Sequence, residues 1–330
     1  MIDIYGLGNA IVDTEYRVSS DFLEANEIKK GLMTLVDEDQ IATLAKAINQ
    51  TDSEKTSGGS AANTIITAQY LGANTYYSCK VARDEIGEFF INDLKKAGIQ
   101  LNQNTNSASG RSGQCLVFVT EDAERSMSTC LGVSDSLNSA DINKNVLARS
   151  RYLYIEGYLG SSETATDAAI EARQTAENAG VKTVVTLSDP SIVQIFYDNL
   201  EKILGNGIDH LFCNEEEALA WAKSDRLDIA ITELKDVSKT LNITLGEKGS
   251  MFVENGTQHM IPAFPATAVD TNGAGDIYAG ATIFGWCQKM DPISAARLGN
   301  RAAATLVGKY GARLKSREEY QEILTAHQLD

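Results

Sequence analysis

The stretch TVVTLSDPSIVQIFYDNLEKILGNGIDHLFCNEEEALAWAKSDRLDIAITELKDVSKTLNITLG, residues 183–246, decides the fold. It holds three short apolar runs, Thr183–Leu187, His210–Cys213 and Asn242–Leu245, that read as strands, with helical or turn segments between them. Strands alternating with helices in this way imply a mostly parallel sheet covered on both faces. Working outward, Tyr152–Ile155 adds a strand before the stretch. After it, Ser250–Glu254 and Gln258–Ile261 flank Asn255-Gly256, a strong hairpin signal. The last third is helical, over Gly275–Met290 and then Ile293–Gly308 behind Pro292. Toward the start of the chain, Asp3–Gly8 and Thr75–Val81 are predicted strands. Ser60–Leu71 is a predicted helix, with Ala61, Ile65, Ala68 and Leu71 on one face and Gly72 ending it. Glu88–Ala97 is a second, closed by Gly98.

Two β-rich interruptions break this rhythm. One carries Thr14–Val18 and Met33–Val36; the other carries Gln114–Thr120 and Arg125–Cys130, joined by the acidic turn 121–124. They read as one small β lobe built from two insertions. The expected fold is α/β, doubly wound, with a mostly parallel central sheet, helices on both faces and a small β-sheet lid. Residues 1–12, 38–104 and 133–330 are assigned to the core, and 13–37 and 105–132 to the lid.

Of the 330 residues, 43% are hydrophobic and 22% charged, as in a globular protein. The 29 basic and 45 acidic residues leave a net charge of −16, which argues against a broad nucleic-acid footprint. A phosphate can still be held locally by backbone N–H groups and one or two cations. The five cysteines, Cys79, Cys115, Cys130, Cys213 and Cys287, are odd in number and form no CxxC pair, so they read as reduced core thiols. The three histidines lack metal-ligand spacing, which leaves little room for a zinc site or a Ser-His-Asp triad. The opening MIDIYGLGNAIVD reads as a strand rather than a leader, and no apolar run reaches membrane-spanning length. These features predict a cytoplasmic chain acting on a small molecule, with neither nucleic acid nor membrane as partner.

The string Asp270-Thr271-Asn272-Gly273-Ala274-Gly275-Asp276 opens a long apolar helix. Its glycines expose backbone N–H groups at the positive end of that helix, which makes an anion hole of Gly273, Ala274 and Gly275. Asp276 then stands beside the held phosphate, where a carboxylate can take the proton of a substrate hydroxyl. The string also reads as an ordinary acidic first turn. Ser57-Gly58-Gly59-Ser60-Ala61-Ala62-Asn63 makes a second glycine-rich helix entry, where the Asn63 amide can donate to and accept from a polyol. A plain turn with Ser60 as N-cap is the alternative. Gly6-Leu7-Gly8-Asn9-Ala10-Ile11 lacks the third glycine and the following helix of a dinucleotide fingerprint. Asp13, just beyond it, is a candidate acceptor for vicinal hydroxyls. Asn214 with Glu217 closes a strand and opens a helix, a place for dipole-compensating acids or for the oxygens that hydrated Mg²⁺ prefers. Thr244-Leu245-Gly246 ends another strand, where open α/β sheets bind ligands.

Taken together and in this order, these segments resemble the ribokinase-like (PfkB) family of carbohydrate and nucleoside kinases. The likeness runs from GLGNAIVD to KYGA at 309–312, through SGGSAANT at 57–64 and DTNGAGD at 270–276. It implies a substrate between core and lid, and ATP in a shallow groove on the core. It further implies Asp276 as base, with Asp13, Gly58, Gly59, Ser60 and Asn63 on the substrate. Asn214, Thr244, Gly246, Asn272 and Asn300 would then serve the nucleotide, Glu217 would hold Mg²⁺ through water, and K⁺ would lie near Asp270. Within the family the chain is most similar to adenosine kinases and their bacterial nucleoside-kinase relatives, by DFLEANEIKKG, ERSMSTCLG and YLYIEGYL. That branch implies an apolar base slot from Leu35, Leu131, Val133 and Tyr158, which also read as ordinary packing. Arg125 either reaches the transferred phosphate or is a solvated hairpin arginine. Met33 departs from the Gln that animal adenosine kinases carry beside the base. The expected reaction is transfer from ATP to the 5′-hydroxyl of a purine nucleoside, adenosine first. The alternatives are a ribose, fructose, inosine or guanosine kinase, or a non-catalytic sensor on the same fold. Family members occur as monomers or lid-clasped homodimers.

Overall fold

The computed structural model describes residues 1–48, 54–102, 105, 108–122 and 124–328. The predicted acidic turn at 121–124 and the expected boundary at 104/105 therefore fall partly outside the described residues. In chain order the strands are β1 (Ile2–Leu7), β2 (Ile11–Arg17), β3 (Met33–Leu35), β4 (Glu54–Gly58), β5 (Thr75–Ser78), β6 (Gln100–Leu101) and β7 (Gly113–Val119). They continue as β8 (Arg125–Cys130), β9 (Ser150–Glu156), β10 (Lys182–Thr186), β11 (Ile208–Asn214), β12 (Ser238–Thr244), β13 (Ser250–Glu254) and β14 (Thr257–Ile261).

Nine of these form one sheet in the order β14-β13-β12-β11-β10-β9-β1-β5-β6. From β12 to β6 every pairing is parallel, while at the other edge β13 pairs antiparallel with both β12 and β14. The strands are apolar on both faces, as a doubly covered sheet requires. Ile4, Tyr154, Val184, Phe212 and Phe252 point to one core, with the helices Ser60–Leu71, Glu85–Ala97, Ala274–Cys287, Pro292–Val307 and Arg317–Gln328. Their neighbours Tyr5, Leu153, Val185, Leu211 and Val253 point to the other, with Glu163–Ala179, Tyr197–Leu204 and Leu227–Val237 among its helices. The α/β doubly wound architecture expected from the sequence is the one present. All five cysteines are free and buried.

The other five strands make a second sheet, β3-β8-β7-β2-β4. Besides the two predicted insertions it contains β4, whose sequence EKTSG shows no apolar alternation. That strand is held by antiparallel backbone pairing with Ile11–Glu15. One face of the sheet packs Leu116, Phe118 and Cys130 under the short helices Ser20–Ala25 and Glu38–Ala47. Asp13, Glu15, Val117 and Arg125 line a cavity on the side facing the large sheet. The chain passes between the two sheets at Gly8–Ala10, at Gly59 and again after Cys130.

Candidate active site

The helix Ala274–Cys287 is buried on nearly every side from Ile277 onward, so packing fixes its position closely. It lies against the helix Ser60–Leu71 because Gly280 has no side chain. A Cβ there would come within 2.5 Å of the Thr64 carbonyl and 2.7 Å of Thr67. This contact brings the first turns of the two helices together. Ser60 Oγ donates to Asp276 Oδ1 at 2.7 Å, and Asn63 Nδ2 donates to Asp276 Oδ2 at 3.2 Å. Burial lifts the Asp276 carboxyl to about 7, against the pull of those two hydrogen bonds. Asn63 is 5% exposed, and its Oδ1 is buried with no partner. An orphaned acceptor beside a carboxylate is a place for a hydroxyl donor.

The helix starts at Gly273, which adopts a left-handed conformation with φ of 74° and makes no side-chain cap. A Cβ at Gly273 would collide with the Ala312 carbonyl, so geometry and space both demand glycine there. Ala274 N–H closes a turn on the Thr271 carbonyl at 3.2 Å, so it is not open to an anion in this state. The first helical bond from this turn is Ile277 N–H to the Gly273 carbonyl, at 2.9 Å. The N–H groups of Gly275 and Asp276 precede it, at the positive end of the helix dipole. Nothing lies within 4 Å of where a Gly275 Cβ would be.

Gly275 lines two adjoining grooves. The first, about 400 Å³, runs between Thr244, Gly246, Phe264, Ala304 and Val307. The second, about 520 Å³, reaches Ser60, Asn214, Glu217 and Asp276. Thr244, Gly246, Thr271 and Tyr278 line both, so a long ligand can span them. Asn300 lines the first groove but spends its amide on the backbone, donating to the carbonyls of Ile261 (2.9 Å) and Pro262 (3.1 Å). It thereby shapes the wall that leads to Phe264. Asn214 and Glu217 form a reciprocal cap: Glu217 N–H donates to Asn214 Oδ1 (2.7 Å) and Asn214 N–H to Glu217 Oε2 (3.1 Å). Burial lifts the Glu217 carboxyl to about 8. Among the described residues no cluster of three or more metal-ligating side chains exists, so any ion here would keep most of its water.

On the side of the second sheet, the Asp13 carboxylate rests over Gly58, where a side chain would overlap it. Burial raises Asp13 to about 7, opposed by the charges of Arg313 and Arg125 and reinforced by Asp276. Gly59 has φ of 96° and leaves no room for a Cβ beside the Asn9 carbonyl. Asn272, Asp13 and Asn63 share a cavity of about 460 Å³ with Arg125. Arg125 is not a solvated hairpin residue. Its guanidinium is 14% exposed and pairs with Glu15 of β2 on one arm and Asp270 on the other. Asp270 also accepts from the N–H groups of Asn272 (3.0 Å) and Gly311 (2.9 Å). Its carboxylate is thus shared among three donors, Arg125 and these two N–H groups.

The four apolar residues of the expected base slot line none of the three cavities above. Leu131, Val133 and Tyr158 are half-buried, and Tyr158 feels the charges of Asp276 and Glu217. Leu35, on edge strand β3, is 46% exposed. Sequence reasoning missed Glu156, a fully buried carboxylate at the end of β9. The available signal was its position, an acid closing a buried parallel strand in YLYIEG.

Comparison with known proteins bears on the family and the fold. Residues 32–319 match the model of the pfkB family carbohydrate kinases. The chain is 28% identical over 326 residues to the adenosine kinase of Saccharomyces cerevisiae, covering 92% of this chain and 94% of that one. The crystal structure of an adenosine kinase from Sinorhizobium meliloti superposes with a TM-score of 0.90 at 34% identity, covering 98% and 99% of the two chains. A probable sugar kinase from Rhizobium etli superposes equally well, at 29% identity with 99% of each chain covered. No helix among the described residues is long and apolar enough to cross a membrane. With a family match spanning most of its length, the chain belongs to the pfkB carbohydrate kinase family and is a phosphotransferase acting on hydroxyl groups.

Proposed function

We propose that this kinase transfers the γ-phosphate of ATP to the 5′-hydroxyl of a purine nucleoside, adenosine first. The observation that carries this reading is the Asp276 carboxylate, held by Ser60 and Asn63 beside an uncapped helix start that faces a long groove. Asp276 takes the hydroxyl proton, and its raised pKa matches a base that works near neutrality. The N–H groups of Gly275 and Asp276 face the charge on the transferring group, while Gly273 and Ala274 set their direction. Asp13 and the orphaned Asn63 Oδ1 accept from sugar hydroxyls, with Gly58 and Gly59 giving close approach. Thr244, Gly246 and Asn272 flank the phosphates. Asn214 and Glu217 fit a Mg²⁺ held through water, since Glu217 is a buried carboxyl on the groove wall without a cation partner among the described residues. When bound, that ion supplies charge neutralisation on the phosphates.

The second sheet serves in this reading as a lid, with Arg125 tying it to Asp270 when closed. Adenosine is favoured by the adenosine kinases of yeast and S. meliloti, which this chain resembles along nearly its whole length. A plain sugar is the second reading, favoured by the exposure of Leu35, which leaves the base slot open on one side. ATP consumption measured across adenosine, inosine, guanosine, ribose and fructose decides between them. Adenosine should give the highest kcat/KM. Turnover of sugars alone would overturn the nucleoside assignment, and tight ligand binding without phosphoryl transfer would make the chain a sensor.

A further inference from the structure

Glu156 touches neither groove, yet it sits where the chain passes between the two sheets. It is 0% exposed at the end of β9. Its Oε1 accepts from Asn9 N–H, and its Oε2 from Ala61 N–H, both at 2.7 Å. Asn9 belongs to the first crossing, from β1 to β2, and Ala61 to the helix turn just after the crossing at Gly59. A third crossing joins the same network. Ser134, in the turn that follows β8, donates to Asn9 Oδ1 (3.1 Å) and accepts from Ala10 N–H (2.9 Å). Space for the carboxylate exists because Gly8 has no side chain. A Cβ there would lie 2.7 Å from Glu156 Oε2.

A buried ionisable group with no cation partner is costly, so packing alone does not explain a carboxyl at this point. The donor set does. Two backbone N–H groups from segments far apart in sequence need acceptors at one place, and only a carboxylate accepts on both oxygens. A glutamine would satisfy one N–H and set its own NH₂ against the other. Ala61 lies between Ser60 and Asn63, the two residues that hold Asp276. We infer that Glu156 is a positioning residue: it fixes the helix turn that aims Asp276 to the strand crossing that carries the lid, and so sets base and acceptor in one register. For its kinetic readout this rests on the kinase reading above.

The groups whose charges act on Glu156 are few. Asp276 faces it from the neighbouring helix, and Tyr77, Cys79, Tyr154 and Tyr158 surround it. Burial raises all four of the latter above their ordinary values, so they stay neutral near pH 7. Glu156 and Asp276 are the groups that change charge in that range, each raised to about 7 by burial.

The test is Glu156→Gln in the full chain, with the acceptor that turns over best, followed by thermal melting and full kinetics. The account expects kcat to fall about 10–100-fold, the cost of a slightly misplaced reacting group. It also expects KM for ATP within about twofold of the parent while KM for the acceptor rises, a split between the two substrates that a general loss of fold does not give. A folded variant with parental kcat and parental KM for both substrates overturns the assignment. Should the variant not fold, amide exchange in the parent protein decides: slow exchange at Asn9 and Ala61 in concert supports the hub, and fast exchange at either refutes it. If no acceptor turns over, the kinase reading fails by itself, and amide exchange still judges Glu156.

Discussion

A carboxylate serves best as a base when its pKa lies near the working pH, and Asp276 is brought there by burial rather than by a neighbouring charge. The sign of the pH dependence follows. Asp276 must be deprotonated to take a proton, so activity is lost as pH falls through its pKa. The expected outcome is a kcat/KM profile with an acid limb centred near pH 7, instead of near 4 as for an ordinary aspartate. A profile flat from pH 5 to 8 in the free enzyme would remove the case for a buried base. At this scale the residues readable from sequence were those with a local signature. Asp276, Ser60 and Asn63 sit in glycine-rich helix entries, and their backbone geometry depends on neighbours in the chain. Glu156 had only its place at a strand end and Arg125 was left with two readings, because their partners lie 95 and 147, and 110 and 145, residues away. Nothing in the local chain announces a contact of that range.

At the scale of elements, the site depends on how closely two helices approach. Gly280 permits the contact between Ala274–Cys287 and Ser60–Leu71 that carries Asp276 to Ser60 and Asn63. Gly280→Ala should push backbone against backbone, costing about 1–3 kcal/mol of stability. Thermal melting would show that loss, and kinetics should show kcat falling with it, while KM for ATP holds. A variant with parental kcat and melting temperature would mean that helix spacing does not set the base. Both helices were legible in the sequence because apolar faces and glycine stops declare them, though the second was predicted to run on to Met290. It ends at Cys287, and Lys289 turns into a left-handed conformation with φ of 63°. Strand β4 was not legible. Its residues are polar, and only the backbone ladder to β2 makes it a strand.

For the whole molecule, the alternation of strand and helix over residues 183–246 was enough to give the large sheet, since both faces must be covered. The second sheet was only half legible, because two of its pairings join segments distant in sequence, β2 with β7 and β3 with β8. Its link to the core is electrostatic as well as covalent. Arg125 reaches from β8 to Asp270, just before the start of the helix Ala274–Cys287, and holds Glu15 with its other arm. Arg125→Ala removes this clasp and leaves Asp270 without its counter-charge. The acceptor KM should rise about tenfold, equivalent to about 1.4 kcal/mol, with KM for ATP little changed. Equal KM values for both substrates in variant and parent would mean that the clasp plays no part in closure.

The claim that supports the rest is that the Asp276 carboxylate receives the acceptor's proton. Asp276→Asn keeps the size of the side chain and removes the base, so turnover and acceptor affinity of that variant are the most direct measurement. The account predicts kcat lower by about 10²–10⁴-fold with an acceptor Kd within a few-fold of the parent. A folded Asn variant that keeps near-parental kcat contradicts it.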